Sequence, residues 1–222
     1  MTPHDAKSSH DGKSEHVANW KYADDVVVEA EPIARARAHS IEVGIDAVSP
    51  AVGAQLALLV AATGARNIME IGTGSGVSGL WMLSGNPRSA LTSIDSEVEH
   101  QAAAREHFHD AGIPTNRFRL IAGKALDVLP RMNENSYDLV LVDADSASVI
   151  EYFEHALRLV RAGGTVVVTH ALSRGRVADP AARDDVTVGY RSLIDEVASS
   201  TAVVSALSVV GDGLLQVTTL AT

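Results

Sequence analysis

Ile68-Met69-Glu70-Ile71-Gly72-Thr73-Gly74-Ser75-Gly76-Val77-Ser78 is the stretch that decides how this 222-residue chain folds. An apolar run carries a carboxylate near its end, passes through glycines at alternate positions and reopens as a helix. Glycines in such a turn allow positive φ and let a ligand approach the backbone closely. In open α/β sheets, ligands lie beyond the carboxyl ends of the strands. The loop lacks the Lys of a phosphate-binding GxxxxGK[ST] motif. It also departs from the dinucleotide GxGxxG pattern, because Val77 stands where the third glycine belongs. Glu70, two residues before the first glycine, would repel a pyrophosphate and attract a cationic amino group.

Outward from the loop, short apolar runs alternate with helical stretches. Strands are predicted over Asn67–Ile71, Leu91–Ile94, Arg117–Ile121, Tyr137–Val142 and Thr165–Thr169. Helices are predicted between and after them, over Val77–Ser84, Glu97–Ala111, Ala125–Arg131, Ala147–Val160 and Asp184–Ser199. The strands are almost wholly apolar, as a parallel sheet covered by helices on both faces requires. Two last β-like runs, Ala202–Ser208 and Leu214–Leu220, flank Val209-Val210-Gly211-Asp212-Gly213 and read as an antiparallel hairpin. Upstream, one helix starts at Pro32 and a second at Ser49-Pro50, with Ser49 as N-cap and Gly64 as the stop. The expected fold is α/β: a Rossmann-like, seven-stranded, mostly parallel sheet with helices on both faces and a C-terminal antiparallel hairpin.

The second predicted strand ends in Asp95, nineteen residues after Gly76. A carboxylate at that tip is placed to accept hydrogen bonds from ribose hydroxyls.

Composition narrows the function. With 28 acidic and 18 basic residues the formal charge is −10, which disfavours a nucleic-acid partner. There is no cysteine, so disulfides, thiolate zinc sites and cysteine nucleophiles are excluded. No apolar run approaches the ~20 residues that cross a bilayer, and the N-terminus lacks a signal-peptide core, so the expected location is cytoplasmic. Residues 1–18 read as a flexible polar tail, in which His4, His10 and His16 are too widely spaced for a compact metal site. Residues 19–222 read as one domain, with N-terminal helices over about 32–63 before the core.

The quoted loop, together with VSPAVGAQLALLV, LTSIDSEVEHQAAAREHFHDAGI, YDLVLVDAD, RLVRAGG and VGDGLL, resembles the class I S-adenosylmethionine-dependent O-methyltransferases of the catechol/caffeoyl-CoA O-methyltransferase-like family. The likeness covers about residues 32–220. It implies S-adenosylmethionine as cofactor, held by the Glu70, Gly72, Thr73 and Gly74 loop with Ser78 near the methionine carboxylate. It places Asp95 and Ser96 at the ribose, Gly123 and Ala125 near adenine, Asp143 beneath the methionine moiety, and Val48 and Ser49 on the N-terminal side. It also implies a small-molecule hydroxyl acceptor and a homodimer involving the N-terminal helices.

The chain departs from that family at the metal. Members bind a divalent cation through the first Asp of the VDAD-type segment and an Asp-Asn pair after the next strand. Here Asp143 is kept, the pair is Thr169-His170, and the usual Lys is Ser146. Three readings stay open: His170 as a metal-free general base, with an intrinsic imidazole pKa of ~6.5; a rebuilt metal site from Asp143, Asp145 and His170; or His170 as a strand-end cap. No resident metal is expected.

The loop Ala171–Asp185 is expected to cover the substrate, with Arg174 and Arg176 facing either an anionic group or solvent. Trp81 reads as helix packing, and His100, His107, His109 and His155 as surface or satisfied positions. The competing functions are an NAD-linked oxidoreductase and a cofactor-binding protein that has lost catalysis.

Overall fold

The structure, a computed structural model, describes residues 17–220. Its strands are β1 (Asn67–Ile71), β2 (Ala90–Asp95), β3 (Phe118–Ala122), β4 (Tyr137–Val142), β5 (Val160–Val168), β6 (Val203–Ser208) and β7 (Leu214–Thr219). Its helices are α1 (residues 17–25), α2 (Glu31–Glu42), α3 (Pro50–Thr63), α4 (Val77–Gly85), α5 (Val98–Asp110), α6 (Ala125–Val128), α7 (Val149–Leu159) and α8 (Asp185–Ser199). All strands join one seven-stranded sheet in the order β3-β2-β1-β4-β5-β7-β6. The pairs among β1 to β5 are parallel, and β7 runs antiparallel to both β5 and β6.

Side chains alternate between two cores. On one face Ile68, Leu139 and Leu141 pack with α2, α3, α4 and α5 residues such as Ile33, Leu56, Trp81 and Phe108. On the other, Met69, Ile71, Val140 and Val142 pack with Phe153 of α7 and with Tyr190 and Leu193 of α8. Burial on both faces explains why these strands are apolar without interruption. The chain order reverses at β1, which pairs Ile71 with Ile94 on one side and with Val142 on the other. Gly72, Asp95 and Asp143 therefore leave the sheet side by side, at the point where a crevice must open.

Three elements differ from the sequence expectation. Helix α1 begins inside the segment read as tail, at residue 17. Most of its surface is exposed, so no apolar stripe marks it; it is held by Asp24, whose carboxylate accepts the Ala51 backbone N–H at the start of α3 (2.9 Å). His4, His10 and His16 lie outside the described residues. The helix expected over Ala125–Arg131 is α-helical only to Val128 and continues as a 3₁₀ turn, because Pro130 has no N–H to donate. Strand β5 starts at Val160 rather than Thr165: Val160 pairs with Tyr137 of β4, Thr165 pairs with Leu139, and the β5 residues between them bulge out. Gly163, at φ +74°, supplies the left-handed turn that the bulge needs.

Among the described residues, no helix is long and apolar enough to cross a membrane.

Candidate active site

Beyond the ends of β1, β2 and β4 lies a cavity of about 740 Å³, a size suited to a small ligand or cofactor. Its floor is the glycine loop. Gly72, at φ +95°, passes so close to the end of β4 that a Cβ there would sit 1.9 Å from the Asp143 carbonyl oxygen. The Asp95 carboxylate fixes the loop's shape, accepting the N–H of Thr73 (3.0 Å) and Gly74 (2.9 Å) on one oxygen and that of Glu97 (2.9 Å) on the other. Helix α4 opens from Gly76 with no side-chain cap, so its N-terminal end, positive by the helix dipole, borders the cavity at Val77 and Ser78.

Of the predicted cofactor residues, Val48, Gly72, Thr73, Gly74, Ser78, Asp95, Ser96, Gly123, Ala125 and Asp143 all line this cavity. Two stand elsewhere. Glu70 shares the sheet face of Ile68, beneath α4, and is fully buried; its carboxyl accepts the hydroxyls of Ser78 (2.5 Å) and Ser93 (2.5 Å). Burial pushes it up to about 8, against the two hydroxyls, which favour the charged form. It therefore stands behind the loop and not in the cavity wall. Ser49 caps α3, accepting the Val52 N–H (3.5 Å), and faces a neighbouring cavity.

That second cavity, about 320 Å³, is walled by Trp20 and Ala23 of α1, by Val48, Ala51 and Val52, and by the β6–β7 turn Val210–Gly213. A third, about 410 Å³, is bordered by Asp143, Asp145, Ser146, Ser173, Arg174, Arg176 and Asp212. His170 lines the second and third cavities, and Asp46 borders all three. The imidazole Nε2 lies 3.6 Å from Asp143 Oδ1, and Nδ1 lies 3.8 Å from Asp212 Oδ2. Asp143 Oδ1 also accepts the Thr169 hydroxyl (2.5 Å). Burial raises the Asp143 carboxyl above the usual range, while the Thr169 hydroxyl and a His170 cation oppose that rise.

Asp145 is turned away from this meeting point, accepting the Ser148 N–H (3.1 Å) and the Tyr152 hydroxyl (2.5 Å). Burial, with Asp145 beside it, pushes the Tyr152 phenol up to about 12, so it stays protonated as the donor. No three His, Cys, Asp or Glu side chains converge on one point among the described residues. At the family's Asp-Asn position, one imidazole and a hydroxyl already donated to Asp143 do not make the hard oxygen donor set that Mg²⁺ or Ca²⁺ takes.

Arg176 pairs with Asp184, the N-cap of α8, and Arg174 approaches Asp46 at 3.5 Å. Trp81 packs between helices as read, with its Nε1–H on Glu29 (3.2 Å). His107 Nδ1 meets the Ser75 carbonyl at 2.8 Å. His100, read as a surface or satisfied position, lies 3.3 Å from Asp95 and also lines the first cavity. Sequence reasoning missed Asp46 and missed Asp212 as a site residue. Asp46 had no motif around it, and Asp212 looked like turn chemistry alone.

The O-methyltransferase family model matches residues 25–220. A probable O-methyltransferase of Mycobacterium tuberculosis H37Rv is 41% identical over 213 residues, spanning 96% of this chain and 95% of the relative. Among solved structures, the O-methyltransferase TomG of Streptomyces achromogenes, involved in tomaymycin synthesis and determined in complex with SAM, superposes with a TM-score of 0.80. It is 30% identical and aligns over 90% of this chain and 95% of its own. An O-methyltransferase of Bacillus cereus in complex with SAH gives 0.79 at 28% identity, over 91% of this chain and 97% of that one. The chain belongs to the O-methyltransferase family.

Proposed function

We propose that the protein transfers a methyl group from S-adenosylmethionine to a hydroxyl of a small-molecule acceptor, with His170 as general base. One observation carries the reading: the cavity over the glycine loop, flanked by Asp95 and Asp143, meets one His170 cavity along Asp46–Val48 and the other along Asp46 and Asp143–Asp145. The lining suits the cofactor by its donor set. Asp95 can take ribose hydroxyls, the α4 end a carboxylate, and Asp46 and Asp143 a cationic amino acid. Ser75 of the same loop adds a buried hydroxyl that has no hydrogen-bond partner among the described residues.

When bound, S-adenosylmethionine supplies an electrophilic methyl: its carbon–sulfur bond breaks with the electron pair on sulfur as the carbon–oxygen bond forms, leaving S-adenosylhomocysteine. The chain's task is alignment and deprotonation. The second and third cavities hold the acceptor, His170 takes its hydroxyl proton, and Asp143 carries charge beside the forming imidazolium. No metal step is assigned, since the donors at 169 and 170 do not suit a hard cation.

We place the activity in one domain over residues 19–222, in a cytoplasmic homodimer that binds neither nucleic acid nor membrane. The acidic charge supports the lack of a nucleic-acid partner, and the exposed Ile41, Val43 and Leu58 on the N-terminal helices and beside them support the dimer. Calorimetry with S-adenosylmethionine and S-adenosylhomocysteine, followed by turnover of phenols, catechols and hydroxyquinones with and without chelator, tests the function. Chelator-resistant turnover is expected. Cofactor binding with no turnover on any acceptor would favour the second reading, a binding protein, which the replaced Asp-Asn pair keeps in contention.

A further inference from the structure

His170 has φ +54°, the left-handed region that a side chain other than glycine enters only when its surroundings hold it there. The hold comes from the β6–β7 turn. Ala171 donates its N–H to the Gly213 carbonyl (3.0 Å) and Leu172 to the Asp212 carbonyl (2.9 Å). Gly213, at φ +91°, lies so close that a Cβ would sit 2.6 Å from the Leu172 nitrogen. Above all, the Arg174 N–H lies 2.7 Å from each oxygen of the Asp212 carboxylate, which fixes that group's direction. Fixed in this way, Asp212 presents Oδ2 to the Nδ1 edge of His170 at 3.8 Å, on the side opposite Asp143. The other charged groups bordering these cavities are the Asp46–Arg174 pair, Asp24 in the second, and Asp145 and Arg176 in the third.

We propose that Asp212 is a positioning residue for the His170 base, selecting the tautomer with its proton on Nδ1. A closure of about 1 Å brings Nδ1–H within hydrogen-bond reach of the carboxylate. The Nε2 lone pair is then open on the side of Asp143, where the acceptor hydroxyl must arrive. When Nε2 takes that proton, the imidazolium stands between two carboxylates, and the proton count is unchanged. A carboxylate that fixes the tautomer of a catalytic imidazole is a general device, found on unrelated folds. The proposal rests on the reading of His170 as base.

Asp212→Asn is the informative variant, because its amide oxygen still accepts the Arg174 N–H while its NH₂ opposes Nδ1–H. We expect kcat to fall at least about 10- to 100-fold, as when a carboxylate that orients a catalytic imidazole is lost, with the calorimetric affinity for S-adenosylhomocysteine unchanged. Asp212→Glu should restore part of the loss. In ¹⁵N-labelled protein the His170 ring, assigned by difference from His170→Gln, should carry its proton on Nδ1 in the parent and on Nε2 in Asp212→Asn. A kcat within twofold of the parent, or an Nε2–H ring in the parent, overturns the proposal. The parent spectrum decides alone if the variant does not fold. Undiminished turnover by His170→Gln would instead remove the base itself, a separate failure.

Discussion

Glu70 has no cationic partner among the described residues, yet it is buried among hydroxyls. Its folded value of about 8 exceeds the ordinary 4.5. Between those limits the native protein holds a proton that the unfolded chain has released. Its contribution to stability is thus complete below the ordinary value and is lost as pH rises through the folded one. Denaturant midpoints at pH 6 and pH 9 should show the parent losing about 2–3 kcal/mol from this group, a loss that Glu70→Gln should lack. Asp95 makes a contrasting prediction, because its carboxylate serves the loop and the ligand together. Asp95→Asn keeps one oxygen for the loop amides and should weaken S-adenosylmethionine binding by about 1–2 kcal/mol in a titration.

These two acids show what was legible at the scale of single residues. Asp95 was readable because a strand tip next to a glycine loop faces the crevice in any sheet of this order. Glu70 looked equivalent, but two-residue alternation turns it with Ile68 toward α4. Asp46, His170 and Asp212 come together from separate ends of the chain, and no local pattern announces such a meeting.

At the scale of elements, the contact between α3 and α4 is set by missing side chains. A Cβ on Gly53 of α3 would lie 2.3 Å from the Trp81 indole of α4, and that indole is tied in turn to Glu29. Gly53→Ala overfills this contact and should destabilise the fold by about 1–3 kcal/mol, measured by thermal melting, with a change in Trp81 emission as its local sign. Strands and long helices were predictable because their periodicity reflects burial on one or two faces. Helix α1 was not, since a single carboxylate cap anchors it and its surface is largely exposed. The early start of β5 was hidden as well, because Gly163-Gly164 reads as a turn whether or not pairing resumes before it.

At the scale of the whole molecule, the segment Asp46–Val48 is a partition common to the first and second cavities. Its Val48 carbonyl is gripped by Arg37 (2.7 Å), which is itself clamped by Glu29 at 2.7 and 2.8 Å. A partition anchored from behind cannot be reshaped from one side without being felt on the other. The two reactants should therefore load in a fixed sequence, the methyl donor first and the acceptor second. Steady-state inhibition checks this: S-adenosylhomocysteine should compete with the donor and be noncompetitive toward the acceptor, whereas a random pattern would mean that the chambers fill independently.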